Sequence, residues 1–293
     1  MTASERAEPH RLRLAIPNKG RLVEPTIGLL KDAGLVFEDH ARSLVARVRN
    51  FDLDILFVRT NDIIEFVSDG VADLGVTGDD LLAETSAELP RLRPLGFGQC
   101  RLAAAVPTDS PLRSIADLSG LRVATAHPNT ARRFFASAGV EVDVIPISGA
   151  VEVAPRLGLA EAIVDLVSTG STLVMNGLRP IADVLASEAI LVANPTAVIE
   201  RSAELDAIDT MLSAVIAARG RKYLMMNAPA ERLHDLETLL PGLESPSVIP
   251  LAHAGMIAIH AVVGADDVWS LLPRLKAAGA SGILVLPIEK IVP

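Results

Sequence analysis

The stretch that most constrains this chain runs from Glu152 to Leu178, EVAPRLGLAEAIVDLVSTGSTLVMNGL. An apolar segment with helical spacing ends near Gly158, the run Ala162, Ile163, Val164, Leu166 and Val167 has strand character, and Ser168, Thr169, Gly170, Ser171 and Thr172 break it before a new helix. A strand that runs into a hydroxyl-rich, glycine-containing loop and opens a helix leaves backbone N–H groups free at the positive end of the helix dipole. Such a loop is an anion site. Two carboxylates, Glu152 and Asp165, flank it; they repel a phosphate and suit sugar hydroxyls or a magnesium ion. Together these elements point to a phosphorylated sugar, the loop on its phosphate and the carboxylates on its ring diol. The same elements also build an ordinary capped βα unit, so loop chemistry alone leaves both readings open.

Upstream, residues 1–10 read as a fraying tail. Residues 12–16 form a short strand, and Pro17-Asn18-Lys19-Gly20-Arg21 is a loop into a helix that Gly34 ends. Lys19 and Arg21 are either solvated loop charges or, at the carboxyl end of the first strand of an open sheet, ligand contacts. Residues 54–58 make another strand that delivers Arg59 beside that loop, and Asn61 or Asp62 caps the next helix. The segment Gly70-Val71-Ala72-Asp73, a strand and Thr77-Gly78 parallels Gly158-Leu159-Ala160-Glu161, a strand and Thr169-Gly170. The parallel suggests two similar α/β lobes with a cleft between them. Strands at 99–107, 121–126 and 142–147 and a helix at 130–139 belong to the second lobe. His127, in a loop at a strand end, receives no role. A helix after Pro180 and a strand at 189–193 return the chain to the first lobe. From Lys222 onward the order is βαββαβ, the ferredoxin-like plan, with Pro229 opening its first helix, Pro241-Gly242 stopping it and Gly279 closing the second.

The expected divisions are therefore residues 1–100 with 180–218 for the first lobe, 101–179 for the second, and 219–293 for a separate C-terminal unit. With 3% aromatic residues and a formal net charge of −9, the chain is poorly suited to nucleic acid, and any phosphate must be held locally. Cys100 is the single cysteine, which excludes an intrachain disulfide. The polar first dozen residues carry no signal-peptide pattern and no apolar run reaches spanning length, so no membrane partner and a cytoplasmic location are expected.

In order, Glu152, Gly158, Ala160, Ile163-Val164-Asp165-Leu166 and Thr169-Gly170-Ser171-Thr172-Leu173 resemble the signature of the ATP phosphoribosyltransferases of histidine biosynthesis. Asn18-Lys19-Gly20-Arg21, Arg59-Thr60-Asn61-Asp62-Ile63, Gly70 to Gly75 and Ser281 to Lys290 fit the same family, in its long form with a C-terminal regulatory domain, over residues 11–291. The resemblance implies a two-lobed catalytic domain like type II periplasmic binding proteins, followed by a ferredoxin-like (ACT-like) domain. It implies condensation of ATP with 5-phosphoribosyl 1-pyrophosphate, in which adenine N1 attacks ribose C1 and pyrophosphate leaves. Residues 165–172 would bind the 5-phosphate through Ser168, Thr169, Gly170, Ser171 and Thr172, with Glu152 and Asp165 on the ribose hydroxyls. Because N1 carries no proton, no general base is needed. Positioning and electrostatics carry the reaction, and Lys19, Arg21 and Arg59 are the candidates for that work. Magnesium (Mg2+) would bridge substrate phosphates. The C-terminal unit would bind histidine as inhibitor, with Asn227, Ser245, Ser247, Ala280 and Ser281 offering groups at strand ends, and the protein would be a homo-oligomer between dimer and hexamer. Glu161 stands where the family usually has Asp, and Asn61 where it is often acidic. The alternatives are a solute-binding protein, disfavoured without a signal peptide, and a catalytically silent regulatory paralogue, disfavoured by the intact loop.

Overall fold

The computed structural model describes residues 11–38, 44–168, 170–240 and 245–292. The expected tail, Thr169 and the Pro241-Gly242 stop lie outside the described residues. The chain forms two compact units, one ending at Asp209 and the other beginning at Thr210.

The first unit opens with β1 (Leu12–Pro17), whose near-continuous burial is that of a strand covered on both faces. It continues with α1 (Val23–Asp32), the short edge strand β2 (Val45–Arg47), β3 (Leu53–Val58), α2 (Ile63–Ser68), β4 (Leu74–Gly78), α3 (Asp79–Thr85) and β5 (Arg91–Pro94). The chain then crosses to a second sheet through β6 (Cys100–Pro107), followed by β7 (Arg122–Thr125), α4 (Pro128–Ser137), β8 (Asp143–Pro146), β9 (Ala162–Val167), α5 (Ser171–Met175) and β10 (Leu178–Ser187). It returns with β11 (Ala189–Ala193), α6 (Pro195–Glu200) and α7 (Ser202–Ala218), a helix that continues past the division at Asp209.

The sheet orders are β2-β3-β1-β4-β11-β5 and β10-β6-β9-β7-β8. With β2 set aside, both follow one rule: second parallel strand, first, third, one antiparallel strand, fourth. The antiparallel member is in each case the strand that has just arrived from the other sheet, β11 in the first and β6 in the second. This is the two-lobed plan of type II periplasmic binding proteins, and the carboxyl ends of the parallel strands mark its ligand side.

The parallel between the two glycine-led segments has a structural counterpart. Asp73, just before β4, donates its N–H to the Arg13 carbonyl at 2.9 Å, and its carboxylate accepts the Arg13 N–H at 2.8 Å. Glu161, just before β9, does the same to Arg122 at 3.0 and 2.9 Å. Each acid thus brackets the first parallel strand of its own lobe. The Glu161 side chain also pairs with Arg122 at 2.6 Å, so the departure from Asp is absorbed at the amino end of β9, away from the ligand side.

Three expectations are corrected. Residues 180–187 are strand, not helix: β10 pairs antiparallel with β6, with irregularities at Pro180/Ala182 and Asp183/Leu185. Pro180 is tolerated because β10 is an edge strand, and the return to the first sheet comes at Ala189 rather than at 180. The segment before Gly158 is a 3-10 turn at Val151–Val153 followed by turns, since Pro155 lacks an N–H and the segment is too short to nucleate a helix. Asp62 stands at the cap position of α2, yet its side chain makes no cap hydrogen bond. Asn194 supplies a cap that was not foreseen, accepting from Thr196 N–H at 2.9 Å and Ala197 N–H at 3.2 Å with Pro195 in the first turn of α6.

In the second unit, β12 (Arg221–Pro229), α8 (Leu233–Glu237), β13 (Ser247–Pro250), β14 (Met256–Gly264), α9 (Val268–Ala277) and β15 (Ser281–Pro287) give the expected βαββαβ order. The sheet is β13-β14-β12-β15, antiparallel throughout. Alternate residues Leu224, Met226 and Ala228 of β12 and Ile257, Ile259, Ala261 and Val263 of β14 form the core with Leu236, Leu271 and Leu275 from the helices. The helix expected from Pro229 to Leu240 is shorter, a 3-10 turn at Ala230–Arg232 and α8. Among the described residues no helix is long and apolar enough to cross a membrane.

The packing of α2 on β4 depends on Gly75. A Cβ there would lie 2.7 Å from Val67 Cγ2 and 2.8 Å from Ile63 Cγ2. Gly75→Ala is expected to destabilise the first unit by about 1–3 kcal/mol through overpacking, read as a lower urea midpoint at unchanged slope.

Candidate active site

The ligand side of the first lobe is built by strand ends. β1 delivers the loop holding Lys19 and Arg21, fixed by the Asn18 N–H bonding to the Val58 carbonyl at 2.8 Å. Because β1 and β3 pair from Leu12↔Leu53 to Pro17↔Val58, Arg59 follows one strand over, exposed. Gly78 ends β4, and Asp79 and Asp80 open α3.

In the second lobe, β9 ends in the loop of Ser168 and Gly170. Gly170 has φ +81 at the cap position of α5, with Ser171 and Thr172 in the first turn. A left-handed residue at this turn is what glycine permits at least cost, and the space its Cβ would enter is open. Ser171 and Thr172 are the first residues of a five-residue helix. Thr169 lies outside the described residues.

Across the cleft, Arg21 Nη1 donates to Ser168 Oγ at 3.3 Å and Nη2 to Cys100 Sγ at 2.9 Å, so the cation loop of one lobe touches the hydroxyl loop of the other. A cavity of about 290 Å³ lies here, lined by Lys19, Arg21, Asn61, Asp80, His127 and Leu166 among others. Lys19, Arg21 and Asn61 are thus brought together. Arg59, Glu152 and Asp165 do not line the cavity, although Asp165 immediately precedes Leu166.

Glu152 sits in the 3-10 turn and feels Asp165 electrostatically. Burial pushes the Asp165 carboxyl above its ordinary range and the charge of Glu152 pushes it further. The Leu166 N–H, donating to Asp165 Oδ1 at 2.8 Å, and His127 act in the opposite direction. A carboxyl raised by burial and by a neighbouring carboxylate is a candidate site feature.

Sequence reasoning missed a second set of contacts between the lobes. Asp80, half a turn into α3, meets His127 and Ser187; Glu84 accepts the N–H groups of Asn129 and Thr130 at 2.8 Å each; Arg133 reaches the Ala83 carbonyl and donates to Ser86 Oγ at 2.8 Å. Local sequence shows only two acids in a first turn and a His before Pro, signals too common to single out.

In the C-terminal unit the five proposed effector residues do not converge. Asn227 and Ser281 pair across β12 and β15, with Ser281 Oγ donating to the Asn227 carbonyl at 3.4 Å. Ala280 is buried in the core and offers no polar side-chain group. Ser245 and Ser247 are exposed at the β13 end of the sheet, and Ser247 is three strand spacings, or roughly 14 Å, from Ser281.

Fold and cleft together define a two-lobed α/β enzyme with a C-terminal ferredoxin-like domain. The family model for ATP phosphoribosyltransferase matches residues 59–214, and that for the HisG C-terminal domain matches residues 218–290. The ATP phosphoribosyltransferase of Gemmatimonas aurantiaca is 48% identical, covering 96% of this chain and 100% of the relative, and that of Methanococcoides burtonii is 45% identical with the same coverages. Among solved structures, the ATP phosphoribosyl transferase (HisG:HisZ) complex from Thermotoga maritima aligns with TM-score 0.61 and 32% identity, over 69% of this chain and 95% of that one. The chain belongs to the ATP phosphoribosyltransferase family, in its long form. Its reaction is the condensation of ATP with 5-phosphoribosyl 1-pyrophosphate to N1-(5-phosphoribosyl)-ATP and pyrophosphate, which starts histidine biosynthesis, and nothing favours a silent paralogue.

The raised Asp165 carboxyl has a consequence for stability. The folded protein holds that proton more tightly than the unfolded chain, so stability falls as pH rises from the ordinary Asp value, near 4, through the raised folded value. Asp165→Asn is expected to raise the melting temperature at pH 7.5, with the gain vanishing in acid, while increasing KM for phosphoribosyl pyrophosphate. Thermal scans across pH, paired with steady-state kinetics, check both halves.

Proposed function

We propose that the sugar substrate binds with its 5-phosphate on the loop from Ser168 to Thr172 and its ribose hydroxyls on Glu152 and Asp165. Lys19, Arg21 and Arg59 then face the pyrophosphate and the ATP phosphates. The observation that carries this reading is the contact of Arg21 with Ser168, which joins the cationic loop of one lobe to the hydroxyl loop of the other across the cleft. N1 of adenine needs no base, so these residues act by orientation and charge: the carboxylates hold the ring, and the cations stabilise the negative charge that grows on the departing pyrophosphate. A preorganised charge of this kind lowers the barrier by roughly 3 kcal/mol.

The family's reaction depends on metal in general, and the ion proposed here is magnesium, which favours phosphate oxygens and retained waters. Among the described residues no three His, Cys, Asp or Glu side chains converge. Such an ion would arrive on the substrate phosphates and neutralise them. The working compartment in this reading is the cytoplasm, in keeping with a biosynthetic enzyme family.

Gly170→Val tests the loop assignment. It places a branched side chain in the open space at φ +81 and is expected to raise KM for phosphoribosyl pyrophosphate at least tenfold with little change in KM for ATP. Equal effects on both substrates would point to a lobe defect instead.

We further propose that the catalytic domain comprises both lobes, with the first resuming at Ala189, and that the ferredoxin-like domain binds histidine and inhibits from there. Support comes from a folded domain, with no catalytic cluster among its described residues, attached to a biosynthetic enzyme. Asn227 and Ser281 form one half-site and Ser245 and Ser247 another at the opposite sheet edge, so the two meet only where two copies join, which ties histidine binding to a homo-oligomer. Inhibition then works through unequal affinity for two arrangements. In calorimetric titration, histidine is expected to bind the full-length protein and to lose at least tenfold in affinity with Asn227→Ala, while a form truncated after Arg219 binds none. Binding retained by the truncated form, and competed by ATP, would place the effector in the cleft.

A further inference from the structure

His127-Pro128, left without a role by the sequence, covers a buried acid. Asp80 and His127 are 2% and 4% exposed. Asp80 Oδ2 lies 3.3 Å from His127 Nε2, Ser187 Oγ–H donates to Asp80 Oδ1 at 2.6 Å, and the Asp80 N–H donates back to Ser187 Oγ at 2.9 Å. Asp80 belongs to α3 of the first lobe. His127 precedes α4 and Ser187 ends β10, both in the second lobe. One carboxylate is therefore gripped, out of water, by two groups from the opposite lobe.

The arrangement is built into the backbone. Gly78 has φ −81, which any residue adopts, yet a Cβ there would lie 2.3 Å from Asp80 Oδ1. The end of β4 is also the counterpart of the end of β9. Where the second lobe leaves its loop open, the first turns its own carboxylate into the joint.

We propose that Asp80 is a positioning residue that holds the two lobes closed on each other through His127 and Ser187, and so sets the spacing between the cation loop and the sugar site before substrates arrive. The proposal rests on the reading that the sugar sits at Asp165 and the phosphates face Lys19 and Arg21. A desolvated, charge-assisted contact keeps its strength, whereas the exposed Arg21–Ser168 contact at the other lip is open to screening by salt. The next turn of α3 reinforces the same joint through Glu84 on Asn129 and Thr130. Burial works against ionisation of Asp80, but the hydrogen bonds from His127 and Ser187 and the His127 charge outweigh it and hold the carboxyl below its ordinary range.

If the closed form binds substrates, its loss divides the affinity for each by the same factor and leaves the closed ternary complex as reactive as before. Asp80→Asn and Gly78→Ala are therefore expected to raise KM for ATP and for phosphoribosyl pyrophosphate together, by about three- to tenfold, with kcat within about twofold of the parent. His127→Phe removes the donor and behaves alike, while His127→Gln, which can present an N–H near the Nε2 position, recovers most of the loss. Hydrogen exchange of the substrate-free full-length variants is expected to show faster exchange in residues 126–130 and 187–189 with the C-terminal sheet unchanged. Phosphoribosyl pyrophosphate with magnesium restores the protection. A fall in kcat at constant KM, an effect on one substrate alone, a uniform loss of protection, or full activity in His127→Phe overturns the proposal. An Asp165→Asn enzyme with unchanged KM for the sugar substrate would remove the site reading, while the exchange of the substrate-free Asp80→Asn protein would still report on the joint.

Discussion

The chain crosses between its sheets twice, and each crossing strand is wedged antiparallel between the third and fourth parallel strands of the sheet it enters. Everything at the cleft depends on that constraint. Parallel strands send their loops out at the carboxyl end, so two sheets joined at the crossings by β6 and β11 bring two sets of loops to one opening. Lys19 and Arg21 come from the end of β1, Arg59 from that of β3 and Asp80 from that of β4. His127 follows β7 and Ser168 follows β9. No one of these segments is a site by itself, and the cleft is a property of the topology.

The same constraint governs how charge is distributed. A protein with a formal net charge of −9 that handles two polyanions gains nothing from its overall field, so cations are concentrated where strands end and acids are spent inside the fold. Asp73 and Glu161 bracket first strands, Asp80 and Glu84 join lobes, and Asp209 takes both oxygens to Arg93 at 2.6 Å each. The acids left facing each other are Glu152 and Asp165, where burial and repulsion raise the Asp165 carboxyl. A raised carboxyl of this kind is a cost to the folded protein, and such costs cluster at functional sites.

In the C-terminal unit, burial alternates from Leu224 to Ala228 in β12 and from Ile259 to Val263 in β14, and this alternation places two helices on one face of a four-stranded sheet. The polar groups at its strand ends are divided between opposite edges.

Much of this architecture was legible in local sequence. Buried parallel strands read as continuous apolar runs (LRLAIP in β1, AIVDLV in β9), glycines with positive φ mark helix ends at Gly34, Gly220 and Gly279, and the order βαββαβ follows from period and punctuation alone. The hydroxyl loop with its two flanking carboxylates was visible because it lies within one contiguous stretch. The helix expected after Pro180 is strand because an edge strand beside a crossing carries a proline and no strict alternation, and only pairing with β6 makes it strand. Neither the cavity lined by Lys19, Arg21 and Asn61 nor the joint of Asp80, His127 and Ser187 could be read from sequence, because their members lie far apart in the chain and are single polar residues in ordinary loops. Their meaning comes from distance and desolvation, which local propensity does not encode and which the double crossing of the chain decides.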